Sequence, residues 1–458
     1  MKLKLGPGLL LFGLLAMSAC ASQPGWLSKI RPGPSPREYP APSILQRDRS
    51  QPLQESGNME EPRETITLKQ ALSLALLRNP ELQSFSLEIR AREAKIIQSG
   101  LPVNPEVQLE LEDFGGSKET RGFDGAQTTL SLSQAFLLGG KRSKRVRLAA
   151  LDRDLAGWDY EAKRLDVLTE VTKAYIDLIA KQNRVTLAED LVRLAEQSYQ
   201  TVSARVEAGK VSPIDQTKAT AALSLTRLDL ERAKRSFDGA KKILAATWGS
   251  SSPTFTRAGG HLGLDSSIPT FEQISKDLGK NPDIARWAAE IEQRKSALVL
   301  EEANRIPDLT LSGGIRRLQE TKDTAFVAGL AVPIPLFNRN QGAIAEAKTR
   351  LVKAEREQKA AVLKVYSSLA EAYQRVSTAF VEATTLKDQV LPALQNAFDA
   401  VQEGYRYGKF GYLDVLDTQR TLFESQSQYL EALAAYRKGI AEVERLMGMS
   451  FDGNPKQE

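Results

Sequence analysis

The sequence predicts a mixed, mainly α-helical protein made of two homologous halves, each consisting of a helix, a β-hairpin and a long helical hairpin. Three observations support this prediction. Motifs recur in the same order in the two halves of the chain, two pairs of segments alternate apolar and polar residues, and long proline-poor stretches follow each pair. Beyond the N-terminus, no run approaches the roughly 18 apolar residues of a membrane-spanning helix. If the mature protein crosses a membrane, we expect it to do so with strands.

The repeat is carried by four pairs of motifs. They are 79–82 with 281–284, 104–109 with 306–311, 209–211 with 408–410, and 248–249 with 447–448. Gly209 and Gly408 lie 199 positions apart (408 − 209), as do Gly249 and Gly448 (448 − 249). Two homologous halves are the simplest explanation of motifs that recur in the same order with this matching spacing.

The repeat also suggests where the parts of the chain begin and end. We expect the first half at 65–249 and the second at 270–449. The linker between them, 250–269, is rich in Ser, Gly and Pro. The last residues, 450–458, are expected to form a flexible tail.

Each half contains two segments with a period of two residues, the pattern of a β-hairpin. We expect the hairpins at about 105–136 and about 307–335. Strands of this length suit a transmembrane barrel, which needs about 9 to 11 residues per crossing. Four strands cannot close a barrel alone, so several chains would have to contribute. A small antiparallel sheet within a soluble periplasmic protein is the alternative.

Proline-poor stretches rich in Ala and Leu follow the hairpins, at about 141–249 and about 342–448. Their apolar spacing is helical. A helix from Lys141 to about Val206 would be on the order of 100 Å long, which is too long for a globular domain. Gly209 and Gly408 follow such helices, where a left-handed C-terminal cap favours glycine. We therefore expect a long helical hairpin in each half.

The N-terminus has the features of a lipoprotein signal peptide at 1–19. Two lysines precede an apolar stretch, and Ser18 and Ala19 stand directly before Cys20. Cys20 is the only cysteine of the chain, so it has no disulfide partner. We expect lipidation of Cys20 and an extended tether at 20–64, which is rich in Pro, Ser, Gln and Arg. The alternative is an ordinary cleaved signal followed by an incidental cysteine.

The composition argues against nucleic-acid binding and against catalysis. The formal charge of +5 arises from 62 basic and 57 acidic residues spread along the helices, without a basic patch. The single histidine, His261, lies in the linker, so no His/Cys constellation could hold a transition metal. The carboxylates fall on solvated helical faces beside Lys and Arg. We expect no enzyme, no cofactor and no metal site.

The segment 332–347, which reads VPIPLFNRNQGAIAEA, is the most specific string in the chain. It resembles the strand-to-helix junction of the TolC-like outer-membrane efflux proteins, in their CzcC-like heavy-metal branch. The resemblance extends over essentially all of 68–448. It implies a homotrimer in the outer membrane of a Gram-negative bacterium, in which each chain gives four strands to a twelve-stranded barrel and its helices to a periplasmic α-helical barrel. It also implies two partners, a periplasmic adaptor protein and a proton-driven inner-membrane pump of the resistance-nodulation type.

The resemblance further implies that Tyr405, Asp414 and Asp417 form the narrow periplasmic aperture. Two carboxylates three residues apart lie on one helical face, and threefold symmetry would gather six of them around the axis. The alternative is that Asp414 caps a helix and Asp417 is merely exposed. An arginine that some relatives carry after the hairpin tip is replaced by Phe410, which leaves the closure of the aperture open.

The two hairpin tips are candidates for docking the adaptor. Each repeats a glycine, a lysine and an apolar residue, which supply a turn, a charge and a hydrophobic contact. The docking residues are Gly209, Lys210, Val211, Gly408, Lys409 and Phe410.

We therefore expect a channel that exports heavy-metal cations in a tripartite, proton-driven system. A channel for drugs or other organic compounds, or for protein secretion, would share the architecture. A lipid-anchored periplasmic coiled-coil scaffold would share the helices but would not need paired hairpins. The sequence does not distinguish one metal ion from another.

Overall fold

The computed structural model describes residues 60–264, 267–276 and 278–448. Helices dominate this part of the chain, and the strands are confined to two regions, which matches the mainly helical mixed fold predicted above. The elements are β1 (Thr65–Ile66), α1 (Leu68–Arg78), α2 (Pro80–Ser99), β2 (Glu106–Glu112), β3 (Gln127–Phe136), α3 (Lys141–Glu207), α4 (Pro213–Ala246), β4 (Arg257–Ala258), α5 (Phe271–Ser275), α6 (Pro282–Asn304), β5 (Leu309–Leu318), β6 (Thr324–Ala331), α7 (Gln341–Thr385), α8 (Leu391–Arg406) and α9 (Tyr412–Met447). Short 3₁₀ turns lie at Lys118–Thr120 and Leu278–Lys280, and a π-helical turn at Leu386–Val390 joins α7 to α8.

The helical hairpins contain the longest elements of the chain. Helix α3 runs without a break for 67 residues, or about 100 Å at 1.5 Å per residue, and returns through the 34 residues of α4. In the second half, α7 and α8 together form the outgoing arm, and α9 returns over 36 residues. Among the described helices, none combines the length and the hydropathy that a bilayer crossing requires.

The helix expected at the start of each half is in fact two helices. Thr67 caps α1 as predicted, in a capping box with Gln70, whose backbone N–H donates to the Thr67 hydroxyl at 3.3 Å. The helix then ends at Arg78, because Pro80 cannot continue the hydrogen-bond ladder and instead starts α2. The second half breaks in the same way, between α5 and α6.

At each break, the residue that caps the second helix also hydrogen-bonds to the C-terminal end of the last helix of the same half. The Asn79 amide donates to the Thr247 carbonyl at the end of α4 at 2.7 Å, and its oxygen accepts from Leu82 N at 3.0 Å. Asn281, whose side chain is fully buried, repeats the pattern by donating to the Leu446 carbonyl of α9 at 2.7 Å. Carbonyls left unpaired at the ends of α4 and α9 are thus satisfied by the cap residues of α2 and α6 in the same half.

The strands β2, β3, β5 and β6 form one antiparallel sheet in that order, and the pairing of β3 with β5 joins the two halves. A row of register partners crosses all four strands on one face: Leu109, Leu130, Ile315 and Phe326. All of them are exposed in the single chain. The next row, on the opposite face, is Glu110, Thr129, Arg316 and Ala325. The sheet therefore has one exposed apolar face, one polar face and two open edges, β2 and β6.

Ion pairs tie α3 to α9 along the middle of the helical layer. Glu442 of α9 pairs with Lys173 of α3 at 3.1 Å and with Arg375 of α7 at 2.7 Å. Arg445 pairs with Asp166 at 2.6 Å and with Asp283 of α6 at 2.5 Å. Burial would raise the pKa of Glu442, but the bonds from Lys173 and Arg375 hold it below its usual value. The network joins helices of both halves.

Candidate functional site at the hairpin tips

The two hairpin tips have the same backbone geometry. Gly209 and Gly408 have φ values of 70° and 76°, in the left-handed region that disfavours other residues. Lys210 N donates to the Arg205 carbonyl at 2.8 Å, and Lys409 N donates to the Gly404 carbonyl at 2.8 Å. Both tips are thus Schellman-type caps, and the left-handed glycines inferred from the sequence are confirmed.

The side chains of the tips differ, because the two halves carry different residues at equivalent positions. The Phe410 ring lies directly against Gly404, where a Cβ atom would collide with it. The first half has Arg205 and Val211 at these positions. Phe410 therefore packs back onto its own helix, which only a glycine at position 404 allows.

Arg205 instead reaches across to the other hairpin. Its guanidinium carbon lies 4.5 Å from the centroid of the Tyr405 ring, and its Nη1 donates to the Tyr405 carbonyl at 2.5 Å. Tyr405 in turn packs on Tyr412, with ring centroids 6.0 Å apart. The cluster is completed by the buried side chains of Val202, Ala219, Phe398, Val415 and Leu422. The two tips thus share one small core with a cation on its surface.

The structure shows which charges act on the tyrosines. Tyr405 is 6% exposed, and its hydroxyl has no hydrogen-bond partner among the described residues. Burial raises the pKa of Tyr405, an effect that Arg205 partly offsets and Asp215 reinforces. Burial, aided by Tyr405 and Asp215, raises the pKa of Tyr412 to about 12. Both hydroxyls therefore stay neutral at physiological pH.

Asp414 and Asp417 lie exposed at the start of α9. Asp414 Oδ2 accepts from Gly411 N at 2.8 Å and so caps the helix, as the alternative interpretation of this residue stated. Asp417 has no ion-pair partner in the described part of the chain. No hydrogen bond or ion pair joins Tyr405 to either aspartate there. In the first half, Lys218 lies 3.9 Å from Asp215.

The remaining sequence candidates divide between the exposed tips and the undescribed N-terminus. Lys210 and Lys409 are exposed, and Phe410 is 45% exposed despite its contact with Gly404. Cys20 lies outside the described residues. Among those residues, no group of three or more His, Cys, Asp and Glu side chains could hold a metal ion. Arg205 had no signal in the sequence, because its partner Tyr405 lies 200 positions away.

Comparison with known proteins identifies the family. The family model described as outer membrane efflux protein matches residues 71–250 and 273–449. The chain belongs to the outer membrane efflux protein family. Members of this family are channels, so the protein is an outer-membrane efflux channel and not an enzyme.

The outer membrane efflux proteins that resemble this chain include one named for metal resistance. The cobalt-zinc-cadmium resistance protein CzcC of Cupriavidus metallidurans is 36% identical over 84% of this chain and 90% of its own length. The pyoverdine export outer membrane protein OpmQ of Pseudomonas putida is 24% identical over 79% of this chain and 81% of its own. The structure of VceC from Vibrio cholerae superimposes with a TM-score of 0.69 at 19% identity, over 84% of this chain and 96% of that one. The resemblance to the heavy-metal branch is thereby confirmed.

Proposed function

We propose that this channel is the outer-membrane component of a tripartite, proton-driven efflux system that exports heavy-metal cations. The observation that carries the proposal is the similarity to the cobalt-zinc-cadmium resistance protein, which extends through both halves and most of both chains. Its partners would be a periplasmic adaptor and an inner-membrane resistance-nodulation pump. Export of organic compounds is the second candidate, because a pyoverdine exporter is also a relative.

Deletion of the gene, followed by growth on a panel of metals and organic antimicrobials, tests this proposal. We expect the deletion strain to become sensitive to one or more of zinc, cobalt, cadmium, nickel and copper ions, and a plasmid copy to restore growth. Sensitivity to organic compounds alone would contradict the metal assignment and support the second candidate.

A trimer is proposed from the open sheet of the single chain. Its edges, β2 and β6, expose unpaired backbone groups, and its exposed apolar face needs a non-aqueous surrounding. Three chains would supply twelve strands, so that β6 of one chain pairs with β2 of the next and no edge is left. A periplasmic scaffold would have no use for such a sheet.

The hairpin tips are proposed to dock the adaptor. Lys210 and Lys409 project from turns that are otherwise held by backbone bonds, and Tyr407 and Phe410 add exposed aromatic surface. We expect Gly408→Trp to block crosslinking to the adaptor while trimers persist. The control is Gly408→Ala, which has the same left-handed backbone strain without the bulk. Equal crosslinking by both variants and the wild type would contradict docking at this tip.

The anchor is proposed to be a lipid on Cys20, with the mature chain beginning there. The proposal rests on the small residues Ser18 and Ala19 before the only cysteine. An intact mass of the purified protein that shows an unmodified Cys20 would contradict it. Cys20→Ser should abolish labelling by a fatty-acid analogue.

A further inference from the structure

Exposed apolar side chains surround the end of the sheet where the strands meet the helices. We call this group the collar: Leu101, Phe136, Ile306, Ile334, Leu336 and Phe337. Phe136 ends β3, and the other members lie in the segments that lead into or out of β2, β5 and β6. Phe337 and Ile334 are 90% and 78% exposed. Phe136 lies on the apolar face of the sheet, opposite Leu309. The collar therefore continues the apolar face beyond the strands.

Contacts hold the segments of the collar in one layer. Ile306 packs against Gly139, where a Cβ would lie 2.7 Å from its Cδ1. Lys141 pairs with Asp308 at 2.7 Å, and Asp308 also accepts from Leu138 N at 3.0 Å. The amide of Asn340 donates to the Glu301 carbonyl at 2.8 Å, which ties the start of α7 to α6.

Four exposed arginines lie in or beside the segments that carry the collar. We call this group the belt: Arg142, Arg145, Arg305 and Arg339. None of them has a carboxylate within ion-pair distance in the described part of the chain. Arg142 Nε donates to the Gly100 carbonyl, next to Leu101, at 2.5 Å. Arg305 directly precedes Ile306, and Arg339 follows Phe337 by two residues.

Two other basic residues near the start of α3 do form ion pairs with carboxylates. Lys141 bonds Asp308 at 2.7 Å, and Arg147 bonds Glu292 at 2.9 Å. Asp308 is close enough to Arg145 for an electrostatic interaction, but the carboxylate of Asp308 accepts its hydrogen bond from Lys141. The belt therefore presents unneutralised guanidinium groups directly beside apolar surface.

We propose that the collar and belt bind anionic phospholipids of the inner leaflet of the outer membrane. This inference rests on the proposed insertion of the sheet into the membrane. Apolar side chains at the end of a barrel strand belong at the boundary between hydrocarbon and headgroups. Guanidinium groups just beyond it match phosphate in charge and geometry. An anion there also offsets the unfavourable position of Arg142 and Arg145 in the first turns of α3.

The test compares nanodiscs of phosphatidylcholine with nanodiscs that also contain phosphatidylglycerol. The wild-type trimer should unfold at a higher temperature in the anionic discs and retain phosphatidylglycerol in native mass spectrometry. The triple variant Arg142→Gln/Arg145→Gln/Arg305→Gln should lose this preference, because each arginine near a membrane surface strengthens binding by about fivefold. The corresponding triple Lys variant should keep it.

The matched control removes three exposed arginines from the periplasmic helices: Arg193→Gln/Arg232→Gln/Arg235→Gln. It changes the net charge equally and should behave as the wild type does. An unchanged lipid preference in the Gln triple of the belt would overturn the inference. If that triple does not fold, the single variant Arg145→Gln decides in the same way, because Arg145 makes no hydrogen bond in the described structure that the variant would break.

Planar bilayers separate this inference from the proposed function. Conduction across a planar bilayer of phosphatidylcholine alone reports insertion and channel formation. A triple variant that conducts normally there and retains its preference for phosphatidylglycerol overturns only the lipid inference. A wild-type protein that fails to insert into either disc overturns both.

Discussion

Asp414 combines a structural hydrogen bond with an exposed negative charge. Its carboxylate caps α9 through Gly411 N, yet the side chain is exposed and unpaired by any cation in the described chain. Its negative charge therefore remains available at the tip, as does that of Asp417. An asparagine at both positions would keep the capping acceptor while removing the charge.

We expect Asp414→Asn/Asp417→Asn to form normal trimers and to lose cation preference in planar bilayers, because the negative potential at the entrance disappears. Block by multivalent cations added on the periplasmic side should weaken as well. The control is Asp229→Asn/Asp238→Asn on α4, with the same charge change away from the tip. Unchanged selectivity in the tip variant would mean that these aspartates do not line the path.

Arg205 is the residue that the sequence could not assign. Its spacing within α3 indicates only a helical position near a C-terminus, and its role depends on Tyr405 in the other half. We expect Arg205→Leu to destabilise the joined tips by about 1–3 kcal/mol, since a charged hydrogen bond and a cation–π contact are both lost.

Hydrogen exchange of the amides around Tyr405 and Tyr412 measures this effect, with Arg193→Leu on the same helix as the control. Faster exchange should be confined to the tips. Equal exchange in the two variants would show that the contact between Arg205 and Tyr405 contributes no stability.

At the scale of elements, α7 and α9 approach each other closely at one glycine. A Cβ on Gly439 would lie 2.6 Å from Cγ2 of Val376, which is fully buried. We expect Gly439→Ala to cost about 1–3 kcal/mol by overpacking this contact. Gly239→Ala in α4 should instead be neutral or stabilising, because its Cβ would meet nothing within 4 Å and alanine is the better helix former.

Thermal unfolding of both glycine variants, purified in the same detergent, checks the prediction. A Gly439→Ala protein as stable as Gly239→Ala would mean that the helices shift apart at little cost.

The strands and the hairpin tips could be predicted from the sequence, because short-range residue patterns determine them. Alternation identified the strands, because Leu109 and Leu130 must share a face, and glycine identified both tips. The break at Pro80 was missed, since an apolar pattern continues through it and only the cap of Asn79 on Thr247 shows that two helices meet. The π-helical turn at Leu386–Val390 also has no evident sequence signal, although Pro392 follows it.

At the scale of the whole molecule, the ion pairs of Glu442 link α3, α7 and α9 and make stability depend on pH. The pKa of Glu442 is lower in the folded protein than in the unfolded chain, so the unfolded chain binds its proton first as the pH falls. The stabilisation is therefore complete above the unfolded value of about 4.5 and is lost as the pH falls through the folded pKa.

We expect Glu442→Gln to lower the unfolding temperature at neutral pH and to converge with the wild type in acid. Glu357→Gln on an exposed face of α7 is the control. A constant difference between Glu442→Gln and the wild type from neutral to acidic pH would show that the charge of Glu442 does not matter.

The arrangement of the sheet has a consequence for biogenesis. Helical hairpins such as α3 with α4 involve contacts between residues near in sequence and can form early, whereas β3 must find β5 far along the chain. In the proposed trimer, a neighbouring chain covers β2 and β6, so a chain that has not yet assembled exposes both unpaired strand edges and the apolar face of the sheet. We therefore expect an unassembled chain to depend on a chaperone between secretion and insertion, and the abundance of the protein to fall when that chaperone is limiting.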